Sequence, residues 1–247
     1  MKDHIHTIPV LDALRDPGGC PFCVMQRQLE QHALDFIMSP AYMDEDVRDE
    51  TNEAGFCAHH LQELYGVQNR LGTALLIHTH VQHIRKQLEH SGAGQAPGLL
   101  GDLVKKVKKA KGSKTPAGQI SAYIEALQSR CYLCEKAATT FKRYMGTFFH
   151  LWVKEKEVLP LVEALPGFCL PHYGQMLEAA QGELNQKQLE QFLSVVIPLQ
   201  QRALEKMDTD LEWFTLKFDY RNAEAPWKDS KDALPRAMGM LRSWKDR

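Results

Sequence analysis

The sequence predicts an all-α protein, a helical bundle built from two tandem repeats that each carry a Cys3His metal clamp at helix N-termini. Apolar residues recur at helical spacing along most of the chain, no convincing period-two run marks a strand, and one cysteine–histidine signature occurs twice. The composition agrees with a packed protein: of 247 residues, 44% are hydrophobic and 25% charged, the profile of a globular chain rather than a disordered one.

The first helix is expected from Pro21 to Met38, where Phe22, Met25, Leu29, Ala33, Phe36 and Ile37 fall on one face. Ser39-Pro40 ends it, because proline removes an amide donor and pushes its predecessor out of the helical region. Leu61, Leu64, Leu71, Leu75, Val81 and Leu88, with no proline among them, predict one long helix over 61–90, about 45 Å in length. Ala137, Phe141, Tyr144, Phe148 and Trp152 mark a helix after Cys134, and another begins near Pro171. A last long helix, about 185–218, carries Leu189, Phe192, Val196, Leu204, Leu211, Phe214 and Phe218, with Pro198 expected to kink it. The domain reading is a first repeat over 1–90, a Gly/Lys-rich linker over 91–118, and a second repeat with a C-terminal extension over 119–247.

The six cysteines carry the chemistry. Cys20-Pro-Phe-Cys23 is followed by Gly55-Phe56-Cys57-Ala-His-His60, and Cys131-Tyr-Leu-Cys134 by Gly167-Phe168-Cys169-Leu-Pro-His172. The spans from Cys23 to Cys57 and from Cys134 to Cys169 differ by one residue, and the copies are offset by 111 residues, so the pattern is an internal duplication rather than a short-period array. A C-x-x-C and a C-x-x-H each present two ligands from one turn of backbone, and Cys3His is a recognised closed tetrahedral zinc set. Cysteines buried merely as small core residues would have no reason to fall in register twice with two histidines. The expected ligands are Cys20, Cys23, Cys57 and His60 in one copy and Cys131, Cys134, Cys169 and His172 in the other, so two Zn2+ ions per chain. Each ion would clamp the starts of two helices about 35 residues apart in sequence, as the spacing within a copy suggests. Pro21 and Pro171 suit first helical turns, where the dipole and free amides favour thiolate over thiol.

Other segments are weaker. Six lysines among Lys105, Lys106, Lys108, Lys109, Lys111 and Lys114 could meet phosphates, but no aromatic is interleaved to stack bases, so a solvated linker is preferred and nucleic acid disfavoured. The net charge of −1 gives no global pull on polyanions. His78, His80 and His83 do not share the i, i+4 face of a ligand pair, and only His80 with His83 is worth watching. Asp219, Tyr220, Arg221, Asn222 and Trp227 have no counterpart in the first copy and mix polar with stacking groups, a candidate surface for a protein partner. Against that reading, Trp227 can plug a core gap, and Asp229 or Ser230 can cap a last helix. No stretch free of Asp, Glu, Lys and Arg exceeds 14 residues, against about 20 for a membrane span, so no membrane contact is expected. Met1 to His6 carry an acid and two histidines where a signal peptide has an apolar run, so the expected compartment is the cytoplasm.

The doubled C-x-x-C and G-F-C-x-x-H, the Asp46–Asn52 approach to Gly55, the Asn69-Arg70-Leu71-Gly72 turn and the Phe218–Asn222 tail resemble an uncharacterised bacterial family, a domain of unknown function found largely in anaerobes. The resemblance covers nearly the whole chain and implies a cytoplasmic cysteine-ligand protein without assigning a substrate. One departure is Cys131-Tyr-Leu-Cys134, which lacks the proline of the first pair.

Three functions compete. Saturated ligand sets favour two structural zincs in a binding or interaction module. An iron–sulfur cluster is the alternative, since thiolates with one histidine also hold iron. A thiol redox enzyme would use C-P-F-C but wants a βαβ context. No Ser-His-Asp set, phosphate loop or H-E-x-x-H motif is found, and the reading leans away from an enzyme.

Overall fold

The computed structural model describes residues 5–16, 18–92 and 116–242. The lysine run from Lys105 to Lys114 lies outside the described residues. Among the described residues there are eleven α-helices and no strand, in agreement with the all-α expectation. They are α1 (Thr7–Arg15), α2 (Pro21–Met38), α3 (Glu45–Ala54), α4 (Ala58–Gly66), α5 (Arg70–Gly92), α6 (Pro116–Gln128), α7 (Tyr132–Lys154), α8 (Val158–Glu163), α9 (Leu170–Glu183), α10 (Gln186–Leu216) and α11 (Ala233–Arg242). No helix among the described residues is long and apolar enough to cross a membrane.

Helix α2 has the bounds that its apolar spacing and Ser39-Pro40 predict. The single helix expected over 61–90 is instead two, α4 and α5. Asn69 explains the break: its side-chain oxygen accepts the Gly72 amide at 2.9 Å and its carbonyl accepts Thr73 N–H at 3.1 Å, a cap that starts a new helix. Of the residues assigned to that apolar face, Leu64 is buried whereas Leu61, Leu71 and Val81 are exposed, since the break resets the phase. Helix α10 starts on a capping box between Asn185 and Gln188 and continues through Pro198 to Leu216.

The chain forms two compact units. One comprises residues 1–28 and 140–247; the other, residues 29–139, is inserted into it. This division differs from the succession of the two sequence copies. The core of the first unit is aromatic: Phe22, Phe148, Phe149, Phe168 and Phe192 are fully buried, with edge-to-face pairs Phe148–Phe149 and Phe149–Phe192 at centroid separations of 5.1 and 5.3 Å. Each such ring contributes roughly 1.5–3 kcal/mol by burial, and each pair about 0.5–1.5 kcal/mol more. The second unit packs Leu34, Ile37, Leu64, Leu76 and Leu133 with Ala54, Cys131 and Tyr132.

Backbone conformation fixes the approach to three of the cysteine segments. Gly19 (φ +122°), Gly55 (φ +62°) and Gly167 (φ +120°) lie one or two residues before Cys20, Cys57 and Cys169. A side chain is strained at these angles, which is why glycine opens the G-F-C motif. At Gly167 space is also closed, because a Cβ would stand 2.5 Å from Ala203 Cβ on α10. Gly167→Ala is therefore expected to cost about 2 kcal/mol in chemical denaturation, combining positive-φ strain with overpacking. Adding Ala203→Gly should restore only part of it, since the clash goes and the φ strain stays. An unchanged midpoint in the single variant would contradict the close approach.

Candidate metal centres

Each of the four ligand-bearing turns is built the same way. The first cysteine directly precedes a helix and the second ligand is its third residue: Cys20 and Cys23 on α2, Cys57 and His60 on α4, Cys131 and Cys134 on α7, Cys169 and His172 on α9. Each leading cysteine keeps its carbonyl in the helical ladder, accepting from Val24, Leu61, Glu135 and Tyr173 N–H at 3.3, 2.9, 2.9 and 2.8 Å. Its sulfur is left to face the residue three positions on, one helical turn being the spacing that puts both side chains together.

The turns associate differently from the expected pattern. Cys20 and Cys23 meet Cys169 and His172, and Cys57 and His60 meet Cys131 and Cys134; in each set the four donor atoms lie within 4.8 Å of one another. The expected pairing of C-x-x-C with the next C-x-x-H, 34 or 35 residues on, is thus overturned, and each Cys3His set takes one half from each sequence copy. The sets are nested: the Cys57–Cys134 set closes inside the Cys20–His172 set. All eight residues singled out from the sequence fall in these two clusters, and each cluster lies within one compact unit. Either could hold a metal ion. The cysteines are free thiols, with no disulfide among them.

In the first cluster, His172 Nδ1 is 3.2 Å from Cys169 Sγ, 3.3 Å from Cys23 Sγ and 3.8 Å from Cys20 Sγ, and Cys23 and Cys169 sulfurs are 3.5 Å apart. The other ring nitrogen, Nε2, is 2.8 Å from Gln26 Oε1, which fixes the ring with Nδ1 toward the sulfurs. Phe22 stacks on Phe168 at 5.9 Å and its ring lies 6.1 Å from that of His172, so the Phe of the C-P-F-C motif packs against the ligand ring. Helix α10 holds the turn before Cys169 through Gln200, whose Oε1 accepts Phe168 N–H at 2.9 Å and whose Nε2 donates to Phe168 O at 3.0 Å.

In the second cluster, His60 Nδ1 stands 3.3 Å from each of Cys57, Cys131 and Cys134 Sγ, and Cys57 and Cys134 sulfurs are 3.9 Å apart. Here the proline missing from Cys131-Tyr-Leu-Cys134 is replaced by other restraints. Tyr132 N–H donates to Gly55 O at 2.9 Å, tying the two turns by their backbones, and Arg130 donates twice to the Glu135 carboxylate at 2.8 and 2.9 Å. His80, one of the three helix-borne histidines, stays outside the Cys3His sets. Its Nδ1 is 2.9 Å from Asn52 O and its ring lies 3.0 Å from where a Gly55 Cβ would be, so it supports the Gly55 turn. His60 Nε2 is buried without a hydrogen-bond partner among the described residues, while Glu30 and His59 each place a donor atom within 4.8 Å of a His60 nitrogen.

Crowding and burial set the protonation of these side chains. The nearby Cys169 and Cys23 sulfurs and burial push the Cys20 thiol far up, and burial with Cys131 and Cys57 does the same to Cys134. Crowded sulfurs and desolvation thus act against the preference for thiolate that the helix dipole gives at these two positions. Burial alone would lower His172, but the Cys169 and Cys23 sulfurs raise it to about 9. At His60 burial prevails and the pKa falls.

The tail divides into two kinds of residue. Lys217 is buried and donates to Asn222, Ala223 and Ala225 carbonyls at 2.7, 2.8 and 2.6 Å, closing the loop beneath the Trp227 ring. Trp227 also packs on Phe214, Ser230 Oγ donates to Trp227 O, and Asp219 pairs with Arg221, all local structural roles. Tyr220, by contrast, is 87% exposed and Phe218 77%. Gln26 and Gln200 carry no signal in the sequence, since a lone polar residue on a helix has no spacing pattern before its partner is known, and the role of Lys217 depends on carbonyls that only folding gathers.

The sequence profile described as "Family of unknown function (DUF6062)" matches residues 1–247. No curated protein and no solved structure matches the chain.

The nested grouping has a consequence for metal content. Cys20→Ala and Cys169→Ala are expected to remove the same ion, so the double variant should lose no more than either single one. Cys20→Ala with Cys57→Ala should lose both ions. Elemental analysis of the purified variants separates this pattern from pairing within a copy, which would give the opposite result for the two doubles.

Proposed function

Because the chain belongs to this family over its whole length and the family brings no activity with it, we propose from the sites alone that it is a two-zinc helical scaffold whose metals are structural and whose work is binding. The observation that carries the reading is the size of the clusters. Zn–S bonds of about 2.3 Å and Zn–N bonds of about 2.0–2.1 Å give a tetrahedron with S···S edges of about 3.8 Å and S···N edges of about 3.6 Å. The donor atoms stand 3.2–3.9 Å apart where their separations are given above. Four protein donors also fill a tetrahedral ion, leaving no position for a catalytic water. A polynuclear iron–sulfur cluster spreads its thiolates over several irons and needs them further apart than the edges of one tetrahedron. A dithiol redox pair fits less well, as Cys20 and Cys23 are both committed to contacts with Cys169 or His172.

Zinc supplies the dipositive charge that the three thiolates require, and the protein orients the ligands. Since each set joins segments far apart in sequence, its binding free energy is folding free energy, on the order of 10 kcal/mol for structural zinc. Zinc analysis should give two ions per chain in colourless protein. Stripping them with a chelator should lower the melting temperature and helical circular dichroism, and re-addition of zinc should restore both. A brown protein containing iron and sulfide, or a melting curve unchanged after verified zinc loss, would overturn the reading.

The binding surface we assign to a protein partner is the exposed pair Phe218 and Tyr220, held out by the loop that Lys217 closes. A photo-crosslinking residue at position 220 is expected to trap one partner of defined mass in cells. Phe218→Ser should abolish that product while zinc content stays at two, and an unchanged product would return the tail to a purely structural role.

A further inference from the structure

The first cluster differs from a metal site sealed by packing. A cavity of about 770 Å3, within the usual range for small-molecule sites, includes Cys20, Cys23 and Cys169 in its wall. Cys20 and Cys23 are half-buried rather than sealed. Helix α10 lines the cavity with Leu199, Arg202, Lys206 and Met207, and α11 with Pro235, Arg236, Gly239 and Met240, so thioether and aliphatic surface covers much of it. An apolar body would lose contact with water there.

Charge narrows the class of ligand. Four cations reach the wall, Arg27, Arg202, Lys206 and Arg236, against two carboxylates, Glu163 and Asp232. Two of the cations are already engaged. Lys206 Nζ lies 3.3 Å from Asp210 and 3.0 Å from Asp229, and Arg236 donates to Asp210 and Asp232, at 3.0 Å each. Arg27 and Arg202 have no carboxylate partner among the described residues. Arg27 is one helical turn beyond Cys23 on α2, which puts both on one face of that helix. Lys206 and Arg236 are thus matched by Asp210, Asp229 and Asp232, and Glu163 is exposed, so the groups left to meet an anion are the two guanidiniums of Arg27 and Arg202 rather than a net positive field.

We propose that this cavity binds a small organic anion, with its carboxylate, sulfonate or phosphate group at Arg27 and Arg202 and its apolar body against Leu199, Met207 and Met240, beside the sulfurs of the first cluster. The ligand enters a pocket whose one side is metal–thiolate, so occupancy is felt at the metal. This goes beyond the scaffold reading: the arginines and apolar wall require no particular metal.

The probe is anilinonaphthalene sulfonate, an apolar anion, beside the neutral phenylnaphthylamine of similar shape. The zinc protein should bind the sulfonate saturably, one per chain, and more tightly than the neutral probe. Arg27→Gln with Arg202→Gln should weaken the sulfonate by roughly tenfold or more, the loss expected when charge-assisted contacts go, and leave the neutral probe unaffected. Gly239→Leu, which adds bulk to the α11 wall, should weaken both probes. In cobalt-substituted protein, saturation with the sulfonate should shift the sulfur-to-metal absorption, and the double arginine variant should need correspondingly more probe. Metal content measured on every sample keeps the two readings apart, since the arginine variant is expected to hold two ions. Equal sulfonate affinity in that variant, or a cobalt spectrum indifferent to saturating probe, would overturn the proposal.

Discussion

The nested meeting of four helix N-termini is the constraint on which the molecule depends. A leading cysteine outside the helix and a ligand in its first turn form a two-toothed unit, and any two such units can close one tetrahedron. What the fold decides is which units meet. The inner set joins α4 to α7 and the outer set joins α2 to α9, and the boundaries of the compact units follow: residues 29–139 enclose the inner set, and the flanking segments enclose the outer one. Closing the inner set first would shorten the loop that the outer set must close from about 146 residues to roughly half of that, saving about 0.6 kcal/mol of closure entropy. The nested order is thus easier to assemble from the inside outward than its sequence separations suggest.

The packing around the two clusters serves that constraint by different means. In the outer set, aromatic stacking of Phe22 on Phe168 and the Gln200 clamp on the Phe168 backbone define where Cys169 stands. In the inner set, the same placement comes from the Tyr132 to Gly55 backbone bond and the Arg130–Glu135 pair. The histidines diverge as well. His172 has Gln26 behind it, whereas His60 Nε2 is buried with no hydrogen-bond partner among the described residues, so the two imidazoles are held with unequal firmness. Equal ligand sets therefore need not bind with equal affinity.

Much of this was legible in the sequence, and the reason is spacing. C-x-x-C and C-x-x-H encode one helical turn, proline encodes the turn's start, and glycine at a fixed offset encodes a positive φ, so ligand identity and position at helix N-termini follow from local rules. Partner choice does not. The 34- and 35-residue spans repeat within each copy and so pointed to closure there, and shorter loops do favour it, but by about two doublings of loop length, only about 1.2 kcal/mol. Burying Phe22 against Phe168, Phe148 and His172 outweighs it, and such contacts are not marked in any local pattern. Asn69 shows the same limit on a smaller scale: it belongs to a recognisable Asn-Arg-Leu-Gly turn, yet its capping of α5 depends on a side-chain geometry that apolar periodicity does not report.

The tail and the cavity show why a site rich in recognisable motifs can leave its most useful surfaces silent. Lys217 reads in sequence as one more solvated cation, but its ammonium is placed among three carbonyls, and it is this buried charge that orders the loop and leaves Tyr220 outward. Arg27 and Arg202 lie 175 residues apart and belong to helices with no shared motif, so only folding makes them neighbours of one cavity. A lysine whose charge is spent inside on carbonyls fixes structure, whereas arginines without carboxylate partners on an apolar wall retain the capacity to bind. That difference, rather than the number of charges, separates the parts of this molecule that hold it together from those left free to act.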